Sequence, residues 1–216
     1  MIERRGVVMG GAMLAAMPSM LRAALPVPGD RLGFDIIRKG TKLGTHQLSF
    51  ERRGDALTVQ VAADLVVKIG FITLYRFSHH ATEHWLGDQL VALQTTTSDN
   101  GTAQQVSGHR DATGFVVEGS KAQRYVAPAN ALPATHWNRR ELDGPLINAQ
   151  DGRLMRPRIA PIGSDMIPTA SGAPIRANHY ALSGDLQLDM WYDPRPSWAG
   201  LSFKAPDGST IRYERQ

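Results

Sequence analysis

The sequence predicts an all-β fold: a strongly curled antiparallel sheet or open β-barrel, with an irregular central insertion acting as lid or plug. Three observations predict it. Apolar residues recur at every second position through most of the chain, which is the strand period. Gly, Asp, Asn and Pro clusters separate these runs at short intervals, as hairpin turns require. A single stretch, Pro128 to Pro174, is dense in Pro and Gly and carries no long alternating run.

The chain opens with a short basic head, Met1-Ile2-Glu3-Arg4-Arg5. An uncharged segment from Gly6 to Leu21 follows, and then small residues at Ala23 and Ala24. This pattern reads as an export signal over residues 1–24, leaving a single antiparallel β domain over 25–216. The apolar segment is short beside the roughly 20 residues of a membrane-spanning helix. The Arg pair points to the twin-arginine route, although Glu3 and the lack of a following Phe depart from that motif. A bacterial, periplasmic or otherwise exported protein is the expectation. After processing it is not expected to be an integral membrane protein.

The predicted strands then follow in order. Phe34 and Ile36 open the first, and Gly40 to Gly44 turns the chain. His46, Leu48 and Phe50 share a face on the second. Leu57, Val59, Val61, Ala63 and Leu65 form one face of the third, against Thr58, Gln60, Ala62 and Asp64. Phe71, Thr73, Tyr75, Phe77 and His79 share one side of a long strand. Trp85 to Asp88 reads as a turn into Leu90–Leu93, Ser98-Asp99-Asn100-Gly101 as another, and two shorter strands surround Asp111–Gly114. Within the irregular stretch, Thr135 to Leu142 reads as a short helix capped by Thr135. Regular strands return at Leu182 to Tyr192, and a hairpin around Pro206-Asp207-Gly208-Ser209 ends the chain. Nine or ten strands in meander order would expose long edges if flat, so the sheet must curl.

Composition narrows the function. There is no cysteine, which excludes thiol catalysis, thiolate metal sites and disulfide support. The net charge of +4 falls to +2 once Arg4, Arg5, Arg22 and Glu3 leave with the leader. The basic pairs Arg52-Arg53 and Arg139-Arg140 stand apart with no polybasic run, which argues against a nucleic-acid partner.

Candidate site residues fall in two places. His79, His80, Glu83 and His84 lie close together. In a strand His80 and His84 would be about 13 Å apart on one face, too far to share an ion, with His79 and Glu83 on the opposite face beside Tyr75 and Phe77. A metal site would need a bend at Ala81-Thr82, or His109 or His136 as partner, and no metal or cofactor is expected. His84, His136 and Glu83 are the weak catalytic candidates, as general base or acid/base pair. No Gly-x-Ser-x-Gly elbow occurs, and Ser164 reads as a turn or cap. Ligand-lining candidates are Tyr75, Phe77, His79, Trp85, His136 and Trp137, with Asn148 and Gln150 either orienting a polar head or bonding the crossover backbone. Core packing is the reading for Trp191 and Trp198. Arg156 and Arg158 read as solvated.

Several segments together resemble an uncharacterised family of exported bacterial proteins. They are Gly40-Thr41-Lys42-Leu43-Gly44-Thr45-His46, Phe77-Ser78-His79-His80-Ala81-Thr82-Glu83-His84-Trp85, Thr135-His136-Trp137-Asn138 and Leu146-Ile147-Asn148-Ala149-Gln150-Asp151-Gly152. Trp191-Tyr192-Asp193 and Trp198-Ala199-Gly200-Leu201 complete the set. The resemblance spans nearly all of the chain after the leader. It implies a domain of unknown function with the curled sheet of periplasmic lipid and lipoprotein carriers, and it implies no catalytic role. The functional expectation is a periplasmic binding or carrier protein for an apolar or amphipathic, lipid-like small molecule. The alternatives are a metal-independent isomerase or hydrolase acting on a similar ligand, and a structural or interaction module of the cell envelope.

Overall fold

The computed structural model describes residues 29–216, so the predicted leader lies outside the described residues. Eight strands run up and down in sequence: β1 (Arg31–Arg38), β2 (Thr41–Arg53), β3 (Ala56–Ile69), β4 (Ile72–Leu86), β5 (Gln89–Asp99), β6 (Thr102–Asp111), β7 (Gly114–Gly119) and β8 (Ala122–Ala127). Tight turns explain the meander. Asn100 (φ 47°) and Gly101 (φ 90°) both take the left-handed conformation, as do Lys39 (φ 49°) and Gly40 (φ 76°). Positive φ at both central residues matches the twist of the flanking strands. The first turn is thus narrower than the sequence suggested. Gly44 belongs to β2, where a Cβ would sit 1.9 Å from the Asp64 carbonyl oxygen. Trp85 and Leu86 likewise belong to β4, and only Gly87 and Asp88 turn.

The insertion follows. Three two-residue strands, β9 (Leu132–Pro133), β10 (Leu146–Ile147) and β11 (Leu154–Met155), form a small separate sheet. Between β9 and β10 lies one 3₁₀ helix, Arg139–Asp143. This corrects the expected helix start: Asn138, not Thr135, is the cap, and its side chain accepts from the Arg140 amide. Thr135 instead turns inward.

The chain then returns as β12 (Arg158–Ile167), β13 (Ile175–Ser183), β14 (Leu188–Tyr192), β15 (Trp198–Lys204) and β16 (Thr210–Arg215). β12 and most of β13 were not expected as strands. β12 is an edge strand with mostly exposed residues, including Pro161 and Gly163 at a bulge, so no apolar alternation marks it. All thirteen long strands form one antiparallel sheet in the order β12-β13-β14-β15-β16-β1-β2-β3-β4-β5-β6-β7-β8. The last strand pairs with the first, Phe34 opposite Arg215. β12 and β8 are the two edges, so the sheet is curled and not closed by hydrogen bonds.

Inward side chains make two main apolar regions. The larger contains Phe34, Leu48, Phe50, Val59, Trp85, Leu93, Met190, Tyr192 and Trp198, and it takes in Leu132, Trp137 and Ile147 from the insertion. The insertion is therefore a plug that fills one half of the interior. The smaller contains Ile36, Leu65 and Ile211, with half-buried Leu43, Val67, Tyr75, Phe77, Phe203 and Tyr213 around them. No insertion residue belongs to it. It lies at the end where the β1–β2, β3–β4, β5–β6 and β15–β16 turns gather. The β3–β4 hairpin is the longest in the sheet and presents Phe71, Ile72 and Leu74 to solvent beyond that end.

Candidate functional site

The inward faces of β2 to β6 stack in register, so the interior can be read in rows. Nearest the plug, Phe50, Val59, Glu83, Leu93 and Gly108 are successive cross-strand partners. The next row is Leu48, Val61, Ala81, Thr95 and Val106. The third is His46, Ala63, His79, Thr97 and Gln104. The fourth, toward the open end, is Gly44, Leu65, Phe77, Asp99 and Thr102.

Glu83 is fully buried between apolar neighbours, where an unpaired carboxylate would be very costly. It is paired three times. Thr135 Oγ1 donates to Oε1 at 2.5 Å, while Trp85 Nε1 and Trp137 Nε1 donate to Oε2 at 2.8 and 3.0 Å. Burial pushes its carboxyl up to about 7, against the lowering effect of these three bonds. Two of the three donors come from the plug, so Glu83 ties the insertion to the wall.

A second carboxylate lies in the plug itself. Glu141 is buried, and its Oε1 accepts from the Tyr192 hydroxyl at 2.7 Å and faces His136 Nδ1 at 3.2 Å. Its Oε2 has no hydrogen-bond partner. The Tyr192 hydroxyl also approaches the His136 carbonyl oxygen, at 2.8 Å. His136 takes φ 72°, a conformation costing a non-glycine residue roughly 1–2 kcal/mol. Burial and the Glu141 charge raise the Tyr192 hydroxyl well above its ordinary range.

The third row is polar and deeply buried. His79 Nδ1 lies 2.8 Å from Thr97 Oγ1. His46 has no hydrogen-bond partner at either ring nitrogen, though the residue is only 6% exposed. Burial holds the His46 imidazole well below its usual range, with smaller contributions from His136 and His79. Burial likewise lowers His79 to about 4, helped by His80 and His136. Both rings are therefore neutral near pH 7.

The predicted site residues divide by face and by end. Strand β4 runs without a bend at Ala81-Thr82. His79, Glu83 and Trp85 point inward, while His80 and His84 are exposed on the outer face, beside Ser78 and Thr58 respectively. The fold thus brings His79, Glu83, Trp85, His136 and Trp137 into the interior and keeps His84 away from them. Among the described residues, no three His, Asp or Glu side chains converge as metal ligands. Trp137 is packed solidly, edge-on to Phe50 (5.5 Å between centroids) and to Trp85 (5.6 Å). Tyr75 and Phe77 line the open end, and burial together with Asp99 raises the Tyr75 hydroxyl above its normal value. Asn148 and Gln150 sit in a plug turn, where Asn148 Oδ1 accepts from the Gln150 amide and Gln150 is exposed. Trp198 is wholly buried, and its indole donates to the Gly200 carbonyl.

The sequence reading missed His46, Thr97, Gln104, Glu141 and Tyr192 as site residues. A histidine alternating with Leu48 and Phe50 marked His46 as inward. Only strand register could put it level with His79. Also missed was His179 on β13, held between Asp165 and Asp189 at 2.9 Å each and stacked on Trp191 at 4.5 Å. That group joins β12, β13 and β14 away from the interior. Outside the sheet, an open groove of about 600 Å³ crosses β4 to β7, lined by His80, Thr82, Gln94, Thr96, Gln105 and Glu118 among others.

Comparison with solved structures finds a β-barrel-like protein of the domain of unknown function DUF1849 from Brucella abortus. It superposes with a TM-score of 0.58 at 11% identity, covering 86% of this chain and 94% of that one. At that identity the likeness concerns the fold, and it agrees with the curled, barrel-like sheet. No curated protein matches the chain. The profile of the family described as domain of unknown function (DUF6134) matches residues 34–216, from within β1 through β16, and the chain belongs to that family.

Proposed function

We propose that the protein is a periplasmic binding or carrier protein for an apolar or amphipathic ligand that enters at the turn-rich, unplugged end. One observation carries this reading: the interior has two unlike halves. The plugged half is filled by Trp85, Trp137, Leu132 and Ile147. The other half keeps Leu43, Val67, Tyr75, Phe77 and Phe203 only partly buried, with no insertion residue over them. Apolar surface left half-covered at the mouth of a concave sheet gains roughly 25 cal/mol for each Å² a ligand removes from water. The projecting Phe71, Ile72 and Leu74 stand beside that mouth and would meet the apolar phase from which such a ligand comes.

The test is titration with N-phenyl-1-naphthylamine, a neutral apolar fluorophore. Saturable binding is expected, and Phe77→Asp should abolish it while far-ultraviolet circular dichroism stays unchanged. No saturable binding to the wild-type chain ends the carrier reading.

The alternative of an isomerase or hydrolase draws on one arrangement, the His136–Glu141–Tyr192 chain with its unpartnered carboxylate oxygen. It requires turnover of an ester or ketone probe that Glu141→Gln removes.

A further inference from the structure

Resting on the carrier reading, we infer that the row His46–Ala63–His79–Thr97–Gln104 is a binding site for the polar head of the ligand, and that this head is uncharged and bears hydroxyl or carbonyl oxygen.

The first observation is unmet hydrogen bonding. Buried polar groups in folded proteins are almost always paired, and an orphan calls for a missing partner. Both His46 ring nitrogens, Thr95 Oγ1 and Gln104 Oε1 are buried without one, in residues 6%, 4% and 9% exposed. All three side chains lie in this row or the one beside it. His46 is surrounded by rings, with Trp198 at 5.1 Å and Tyr213 at 5.6 Å between centroids, both edge-on. An aromatic face can receive the one N–H of a neutral imidazole, but it offers nothing to the lone pair on the other nitrogen.

The second observation is position. Ala63 stands between His46 and His79, so the two imidazoles flank a methyl group across two strand spacings, about 10 Å. Ala81 lies in the adjacent row toward the plug. The plug's His136 comes near enough to influence both His46 and His79, and its ring lies 5.5 Å from Trp198. The row is thus bounded on one side by the plug. On the other side are Leu65 and Phe77, which lead to Val67 and Tyr75 at the mouth. A molecule lying along this path would have its head at the row and its chain among those apolar residues.

The third observation is charge. No Lys or Arg occurs in the row or in the two rows beside it. The acidic groups in and beside these rows are Asp99 opposite Phe77, then Glu83 and Glu141 toward the plug. Continued through Phe34 of β1, the His46 row reaches Arg215, which is already paired with Asp193 at 3.0 Å. A carboxylate or phosphate head would find no unpaired counter-charge along these rows. A hydroxyl can donate to the imidazole lone pair or to Gln104 Oε1. A carbonyl can accept from the imidazole N–H or the Thr95 hydroxyl.

The experiment displaces N-phenyl-1-naphthylamine from the full chain with four probes of equal chain length: 1-dodecanol, dodecanoate, dodecylammonium and dodecane. The expected result is displacement by dodecanol at roughly tenfold lower concentration than by any of the other three, the factor one buried hydrogen bond represents. His46→Phe, which keeps an aromatic ring and removes the nitrogens, should erase that preference, bringing dodecanol level with dodecane. Ala63→Leu, which sets a larger side chain between the two imidazoles, should weaken dodecanol by a similar factor. Circular dichroism of both variants verifies the fold, and either variant alone suffices. Equal or better displacement by dodecanoate or dodecylammonium overturns the inference while the carrier reading stands. So does an alcohol preference that survives in His46→Phe. Absence of fluorophore binding to the wild type removes both.

Discussion

The two halves of the interior are built from the same strands, yet they solve burial in opposite ways. Toward the plug, the wall is met: Trp85 packs on Trp137, Leu93 and Val59 are covered, and Glu83 accepts from three donors, while Glu141 Oε2 and Asn138 Nδ2 in the plug stay unpartnered. Toward the turns, apolar side chains of the same type remain half-covered, and polar groups one row deeper lack partners. The difference comes from thirty residues of irregular chain. Where they are inserted, a curled sheet becomes a packed core. Where they are not, its apolar side chains stay only partly covered.

The largest effect is expected from breaking the packed half. Glu83→Ala strands two indole N–H groups and one hydroxyl in an apolar setting. It should cost about 3–5 kcal/mol, read as a shift in the urea midpoint. A loss below about 1 kcal/mol would mean that Glu83 does not hold the plug.

The pH dependence of stability separates the halves next. Glu83 has its folded value raised to about 7, so its contribution is complete below the ordinary 4.5 and is lost as pH rises toward 7. His46 and His79 are lowered, His79 from 6.5 to about 4, so theirs is present above 6.5 and lost as pH falls. The groups facing these three are Trp85, Thr97, Thr135, His136, Trp137, Glu141 and Tyr213, with His80 acting on His79 from the outer face. Between pH 5 and 6 the two histidines act against the one carboxylate, so stability should rise with pH. In His46→Phe one of the two histidine contributions is gone, and the rise of the urea midpoint over that interval should shrink. An unchanged slope would remove His46 from the buried, neutral set.

A smaller effect, on function alone, sharpens the open half. Phe71→Ser at the fully exposed hairpin tip should leave stability within about 0.5 kcal/mol. It should slow transfer of the fluorophore from phosphatidylcholine vesicles several-fold, with binding from solution unchanged. Equal transfer rates would detach the hairpin from ligand entry. The least effect is expected at Gln150, exposed in its turn. Gln150→Ala should change neither stability nor fluorophore affinity, and a clear loss of affinity would move the polar head site from the strands to the plug.

Much of the architecture was written in local chemistry. The alternation Leu57, Val59, Val61, Ala63, Leu65 emerged intact as the inner face of β3, and Asn100-Gly101 made its turn. The assignment of His79 and Glu83 to one face, and His80 and His84 to the other, followed from period two alone. What local chemistry did not carry was partnership across strands. His46 and His79 are 33 positions apart, and only the pairing through Ala63 makes them level. β12 escaped because an edge strand exposed on both faces needs no apolar rhythm. Thr135 looked like a cap because a hydroxyl before a polar run suits a helix start. Its hydroxyl bonds Glu83, 52 residues earlier, which no windowed pattern registers.

The pairing of β16 with β1 has a consequence for how the molecule is made. Hairpins from β1 to β8 can zip locally as the chain emerges. Among the described residues, the five strands after the plug pair with them through β16 and β1 alone, Phe34 opposite Arg215, between positions far apart in the sequence. Such distant contacts form late, because the entropy of closing the loop is spent before they bring any return. Until the final strand docks, the free side of β1 is an open template for pairing. Assembly of the sheet should thus be limited by the docking of β16 on β1.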